Sequence, residues 1–293
     1  MALKGKKPEI VKVRKPHIMI SGGAGVGKST FALNWPAPYY IDSELGITRE
    51  QYIKKLQAAG GAYLGLNEGS QDFDEVIGQI RELATTQHRF KTLIIDSFSK
   101  LYNLEMQEVE EGGVSFDFGK SAREADKPTK KMLNWLDRLD MSVILITHSK
   151  DKWRKEGKEL VWIGTSWDGY KKMDYELDLW IEASIVSGKR IGKVTKSRIE
   201  SFPMGDSFEL TFDNFKKLYG ATIIDEATVP IVLATPEQVT EIKKLFEVMN
   251  ISAEAIGKAL NRAQATTIED LSNDKAAEII KSLKEKINGK GAQ

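Results

Sequence analysis

The sequence contains no cysteine. That excludes disulfides, thiolate catalysis and cysteine-ligated zinc, and it fits a reducing compartment. Histidine is scarce. His17, His88 and His148 stand far apart, so a structural zinc site is not indicated either. No apolar run approaches the roughly 18 residues of a membrane helix. The basic start, MALKGKKPEIVKVRKPHIMI, lacks the apolar stretch and cleavage site of a secretory leader. A cytoplasmic protein without a membrane partner is therefore expected. An excess of one charge is missing too: 43 basic residues face 42 acidic ones. Whole-surface attraction to nucleic acid is thereby excluded, but a local basic patch is not.

What is present is an ordinary globular composition, 41% hydrophobic and 29% charged over 293 residues, enough for one large domain or for one domain plus a small one. Apolar runs that read as buried strands occur at 17–21 (HIMIS), 38–42 (PYYID), 92–96 (TLIID) and 142–148 (SVILITH). Between them lie amphipathic helical patterns, among them Phe73, Val76, Ile77, Ile80 and Leu83 at helical spacing, with Ser70 or Asp72 as cap. Strands alternating with helices predict an α/β fold with a mainly parallel central sheet covered on both faces by helices. From 111 to about 125 a glycine-bearing, charged stretch reads as a loop, followed by a helix presenting Met132, Leu133, Leu136 and Leu139. Residues 177–186 and 190–199 read as a hairpin, FELTF at 208–212 as an extension of that sheet, and DNFKKLYG as a short helix ending at Gly220.

Four segments follow. Residues 1–15 form a basic arm, read as solvated or as a contact with nucleic acid or a neighbouring subunit. Residues 16–222 form the main domain. Residues 236–287 form a small three-helix domain, opened by Thr235 as N-cap, Pro236 at N1 and Gln238 at N3. Its expected core is Val239, Ile242, Leu245, Phe246, Ile256, Leu260, Leu271, Ile279, Ile280 and Leu283. Residues 288–293 are a loose tail.

The chemistry is announced by GGAGVGKS, Gly22 to Ser29, which matches G-x-x-x-x-G-K-[ST] in full between an apolar run and a helix-forming run. Backbone N–H groups of Gly22, Gly23, Ala24, Gly25, Val26 and Gly27 can wrap phosphates, and the helix start adds donors and a favourable dipole. Lys28 is expected at the β/γ-phosphates, Ser29 on Mg²⁺ and Thr30 at the α-phosphate. The ligands are thus ATP and Mg²⁺. Asp96, ending TLIID, is expected to complete the metal shell. Glu44, just past the second strand, is the preferred base for water attacking the γ-phosphoryl group, with Asp42 as its competitor. His148 can donate to the γ-phosphate or the water and report nucleotide state. His17 and His88 have no comparable position.

These residues together resemble the RecA-like branch of the P-loop ATPases, and more narrowly the phage Sak4-type recombination ATPases, over about 15–200. The features are Gly22–Ser29, YYIDSELG with Glu44, LIIDS with Asp96 and Ser97, ILITH with His148, and KVTKSRI at 193–199. Ser97 stands where AAA+ and ABC types carry their catalytic glutamate, although a broad AAA-family heading still applies. The resemblance implies a RecA-like core and a homo-oligomer, ring or filament, with nucleotide between subunits and Lys196 and Arg198 reaching in from the neighbour. It also implies DNA-contacting segments at 105–126 and 149–172. The second holds Lys150, Lys152, Trp153, Arg154, Lys155, Lys158, Lys171 and Lys172, basic groups interleaved with aromatics. The implied activity is DNA-stimulated ATP hydrolysis on single-stranded DNA during recombination or annealing, in the host cytoplasm if phage-encoded. The C-terminal module would bind DNA or a single-strand-binding protein, or cap the core. A hexameric helicase motor and a slow nucleotide switch that binds a protein partner are the rivals; a small-molecule kinase fits poorly.

Overall fold

The computed structural model describes residues 5, 7, 14–112, 120–157 and 159–290. The chain opens β1 (His17–Gly22), α1 (Lys28–Ala32), β2 (Pro38–Asp42), α2 (Glu50–Ala58), β3 (Ala62–Leu64), α3 (Phe73–Thr85), β4 (Thr92–Asp96), α4 (Phe98–Glu111), α5 (Lys120–Leu136) and β5 (Ser142–Ile146). A separate hairpin, β6 (Ser149–Glu156) and β7 (Glu159–Trp167), follows. Then come α6 (Met173–Glu176), β8 (Leu179–Val186), β9 (Lys189–Ser197), β10 (Ser207–Glu209), α7 (Phe212–Tyr219) and α8 (Ala221–Asp225). The chain closes with α9 (Pro236–Val248), α10 (Ala253–Arg262) and α11 (Asn273–Lys290).

The main sheet runs β10-β9-β8-β1-β5-β4-β2-β3. From β8 to β3 every pairing is parallel, and β9 and β10 extend it antiparallel. β1, β4 and β5 are buried at every residue, which is why they read as unbroken apolar runs. Alternation divides them between two faces. Met19, Leu93, Ile95, Val143 and Leu145 pack with α3, α4 and α5, while Ile18, Ile20, Ile94, Ile144 and Ile146 pack with α1, α2 and α7. α9, α10 and α11 enclose a third cluster around Ile242, Phe246, Leu260, Leu271 and Leu283.

Several local expectations change. The basic arm does not stay solvated to residue 15. Lys15 is buried, donates to the Asp140 and Ala227 carbonyls and pairs with Asp140 at 3.4 Å; Arg14 pairs with Asp137 at 3.2 Å. Lys4, Lys6 and Lys12 of that arm lie outside the described residues. The segment 105–126 is not one loop: α4 continues to Glu111 and α5 begins at Lys120, with 113–119 outside the description. Asp72, not Ser70, caps α3, accepting from Asp74 N and Glu75 N; Ser70 is buried and donates to the Asp42 carbonyl. The extension at 208–212 is shorter than expected, because Thr211 caps α7 and Phe212 begins it.

His17 illustrates the cost of a buried titratable group. Its ring is buried at the start of the interior strand β1, with Nε2 unpartnered and the Arg14 guanidinium beside Nδ1. Burial, then the Arg14 charge, lower its pKa from 6.5 to about 3. Between those values the unfolded chain binds the proton and the folded one does not. This group's stability contribution is therefore intact above pH 6.5 and lost as pH falls toward 3, at about 1.4 kcal/mol per pH unit at most. His17→Gln should flatten the fall in unfolding free energy between pH 6.5 and 4 in urea titrations. A slope equal to that of the unaltered chain would remove His17 as its source.

Candidate functional site

The carboxyl ends of β1, β2, β4 and β5 meet along one edge, where Asp42 is in register with Asp96, and Asp96 with Ile146. In open parallel sheets ligands bind outside such an edge, where neighbouring strands connect to opposite sides. A cavity of about 380 Å³ opens there, lined by Gly22, Gly23, Ala24, Gly25, Lys28, Ser29, Asp42, Glu44, Gly46, Arg49, Asp96, His148 and Ser149.

The phosphate loop turns sharply out of β1. Gly22 has φ 152° and a Cβ there would stand 2.5 Å from the Ala183 carbonyl oxygen, so only glycine passes so close to β8. Gly27 has φ 99° and precedes α1, whose first turn receives no side-chain cap. Lys28 Nζ donates to Gly22 O at 2.7 Å and Gly23 O at 2.8 Å. Burial lowers its pKa, while the charges of Asp96 and Glu44 oppose the shift. Thr30 follows Ser29 in α1, and Val26 packs back against Gly22.

Ser29 Oγ donates to Asp96 Oδ2 at 2.6 Å, and the Tyr40 hydroxyl donates to the same oxygen. Asp96 is buried, which raises its pKa; the two hydroxyls pull it back and the charges of Glu44 and Asp42 add to the rise. A serine hydroxyl against a sequestered carboxylate beside a phosphate loop is an oxygen donor set suited to a hard divalent cation.

Asp42 has another task. Its Oδ1 accepts from Glu44 N at 3.1 Å and Gly46 N at 3.0 Å, and its Oδ2 from Ile47 N at 2.9 Å. It folds the turn that carries Glu44. The Glu44 carboxylate accepts from Ser97 Oγ and lies 2.6 Å from His148 Nε2. Beyond it, His148 N donates to Ser99 Oγ at 2.8 Å, Ser99 Oγ donates to Asp168 O at 2.6 Å, and Asp168 N returns to His148 O at 2.9 Å.

Of the sequence-selected residues, Gly22, Gly23, Ala24, Gly25, Lys28, Ser29, Glu44, Asp96 and His148 line this one cavity, whereas Val26, Gly27 and Thr30 are not part of its lining. Lys196 and Arg198 do not line it either: within this chain they donate to the carbonyls of Leu177 and Tyr175. Lys150, Lys152, Arg154 and Lys155 sit on β6, with Lys150 paired to Asp168 at 3.0 Å and Arg154 to Glu156. Lys158 lies outside the described residues. Lys171 and Lys172 line a second cavity of about 450 Å³ together with Lys130 and Lys150. Trp153 is cross-strand partner to Trp162, and both are 53% exposed. Trp167 and Tyr170 are buried instead. Tyr40, Arg49, Lys130 and Trp162's pairing were not singled out from sequence. Their significance comes from neighbours distant in the chain, and only Trp162 lay in a segment already marked as aromatic.

The sequence matches a family model described as an AAA domain over residues 14–201. No curated protein matches it. Among solved structures, that of the RadB recombinase is similar at 16% identity, covering 66% of this chain and 84% of its own, with a TM-score of 0.44. A prototypical ATPase of the type III secretion system of pathogenic bacteria is similar at 13% identity, covering 92% and 81%, with a TM-score of 0.40.

Removing the Asp42 carboxylate leaves three backbone donors without their acceptor. Asp42→Ala should lower unfolding stability by about 2–4 kcal/mol in urea titrations. A loss under about 0.5 kcal/mol, the range of ordinary surface changes, would contradict this architectural role.

Proposed function

The chain belongs to the AAA domain family, and from that premise we propose that it is a Mg-ATP hydrolase acting on single-stranded DNA in phage-type homologous recombination or strand annealing. The observation that carries this reading is the unbroken contact from Glu44 through His148 to the root of the β6–β7 hairpin. The group positioned for hydrolysis touches the element positioned for nucleic acid.

In this reading Gly22–Gly27 and Thr30 hold the phosphates, and Lys28 neutralises charge at the γ-phosphoryl group. Ser29 and Asp96 would hold Mg²⁺, which when bound neutralises charge on the phosphate oxygens. Glu44 orients a water molecule and accepts its proton as the water oxygen bonds to the γ-phosphorus and the bond to the β-phosphate oxygen breaks. Ser97 and His148 keep the carboxylate aimed. Lys196 and Arg198 serve a neighbouring subunit's site in a homo-oligomer. Their place on and just after β9, away from this chain's own cavity, and the resemblance of KVTKSRI support that role.

Single-stranded DNA is assigned to the hairpin side. Trp153 and Trp162 offer paired, half-exposed rings on which bases stack. Lys150, Lys152, Arg154, Lys155 and Lys158, with Lys171 and Lys172 nearby, supply phosphate contacts. Lys130 joins them across the adjoining cavity. The small C-terminal domain stands outside this cycle and is assigned to partner binding, such as a single-strand-binding protein.

ATP turnover measured with and without single-stranded DNA tests the whole. Turnover should rise with DNA, and Lys28→Ala should abolish it; turnover indifferent to DNA would leave a plain nucleotide switch. Glu44→Gln should bind ATP normally and lose turnover by roughly 100-fold or more. Turnover within a few-fold of the unaltered chain would disqualify Glu44 as the base. Trp153→Ala combined with Trp162→Ala should weaken oligothymidine binding by about tenfold or more in fluorescence anisotropy. Unchanged affinity would move the DNA path elsewhere.

A further inference from the structure

A groove of about 590 Å³ runs between α10 and α11, far in sequence from the nucleotide cavity. Its floor is apolar: Phe246 and Leu283 are nearly buried, while Ile251 and Ile279 remain half-exposed along it. Ala255, Ala259 and Ser282 keep the walls low, so the floor is open to an incoming side chain.

The rim is basic. Lys258, Arg262 and Lys286 line it against a single carboxylate, Glu278, which Lys275 already engages at 2.8 Å. Lys258 is paired with Glu254, but Arg262 and Lys286 form no ion pair among the described residues. This polarity is local. Residues 236–287 contain nine acidic and eight basic side chains, so the module as a whole offers no cationic surface.

We propose that this groove is the docking site for an acidic peptide segment of a partner protein, one bulky apolar side chain of which enters between Ile251 and Ile279 while carboxylates meet Arg262 and Lys286. An apolar slot with a few placed charges at its edge is the form in which short amphipathic segments are held. Nucleic acid fits less well: bases stack on exposed aromatic faces, and the only aromatic ring here, Phe246, is 6% exposed. The proposal deepens the reading of the C-terminal module as partner-binding and is independent of the ATP site.

The probe is a twelve-residue peptide of aspartates and serines carrying one phenylalanine, titrated into the full chain with isotope-labelled isoleucine and leucine methyl groups. The methyl signals of Ile251, Ile279 and Leu283 should shift. Replacing phenylalanine by glutamine in the peptide should weaken binding about tenfold, and so should Arg262→Glu with Lys286→Glu in the chain. A lysine-for-aspartate peptide should bind the charge-reversed chain better than the original, which shows that the variant is folded and the rim is read electrostatically. Lys28→Ala should bind the acidic peptide unchanged, so failure of the ATPase reading would leave this result standing. Absent methyl shifts at about 1 mM peptide, shifts indifferent to charge reversal, or tighter occupation of the same methyls by oligothymidine would each overturn the proposal.

Discussion

A carboxylate sealed at the end of a central strand is the constraint around which the site is arranged. Burying an ionised group costs several kcal/mol unless donors surround it. Asp96 receives two hydroxyls, one from Ser29 on α1 and one from Tyr40 on β2. Satisfying this one charge therefore draws together the phosphate loop, its neighbouring strand and the metal-competent oxygen pair. The same strand end continues into Ser97, whose backbone N–H and carbonyl are both engaged by the Ser43 hydroxyl. The turn after β2 and the start of α4 are thus fixed to one another, and Glu44 inherits its position from both.

Around that anchor the site divides into a rigid and a relayed part. Asp42 builds the turn by accepting three backbone N–H groups, whereas the Glu44 carboxylate takes part in no backbone turn and meets side chains only. Glu44 in turn shares its oxygen with Ser97 and His148, which joins the turn after β2 to the ends of β4 and β5. His148 is braced through Ser99 and Asp168, the latter also tied to Lys150 and Asn103.

Much of this was legible in the sequence because single physical demands left plain marks. Strands buried on both faces must be apolar throughout, and β1, β4 and β5 are. A backbone that folds around phosphates needs glycine where φ is positive, and Gly22, Gly25 and Gly27 supply it. What escaped notice depended on pairing across the fold. β3 is three residues long, with Tyr63 exposed, and carries too little pattern to be seen. The β6–β7 hairpin has almost no buried face, so the alternation that betrays most strands is missing, and the sequence marked 149–172 only by its basic and aromatic residues. Gly112 marks the break the glycines announced, since α4 ends at Glu111 with Gly112 as its C-cap. Lys15 looked like one more solvated cation, but an ammonium can enter a protein where carbonyls and a carboxylate wait for it, as Asp140 does.

The hairpin's isolation from the main sheet has a mechanical corollary. Its base is held where Asp168 N meets His148 O, where Thr165 donates to Glu182 of β8 and where Trp167 packs edge-on against Trp180, whereas its outer half joins no ladder of the main sheet. Eight residues of extended chain reach roughly 26 Å. Over that length a tilt of about 5° at the base corresponds to a sweep of about 2 Å at the tip. Small rotations at the base, where the packed sheet ends, thus have their largest displacement at the end of the arm where Lys155 and Leu160 face each other.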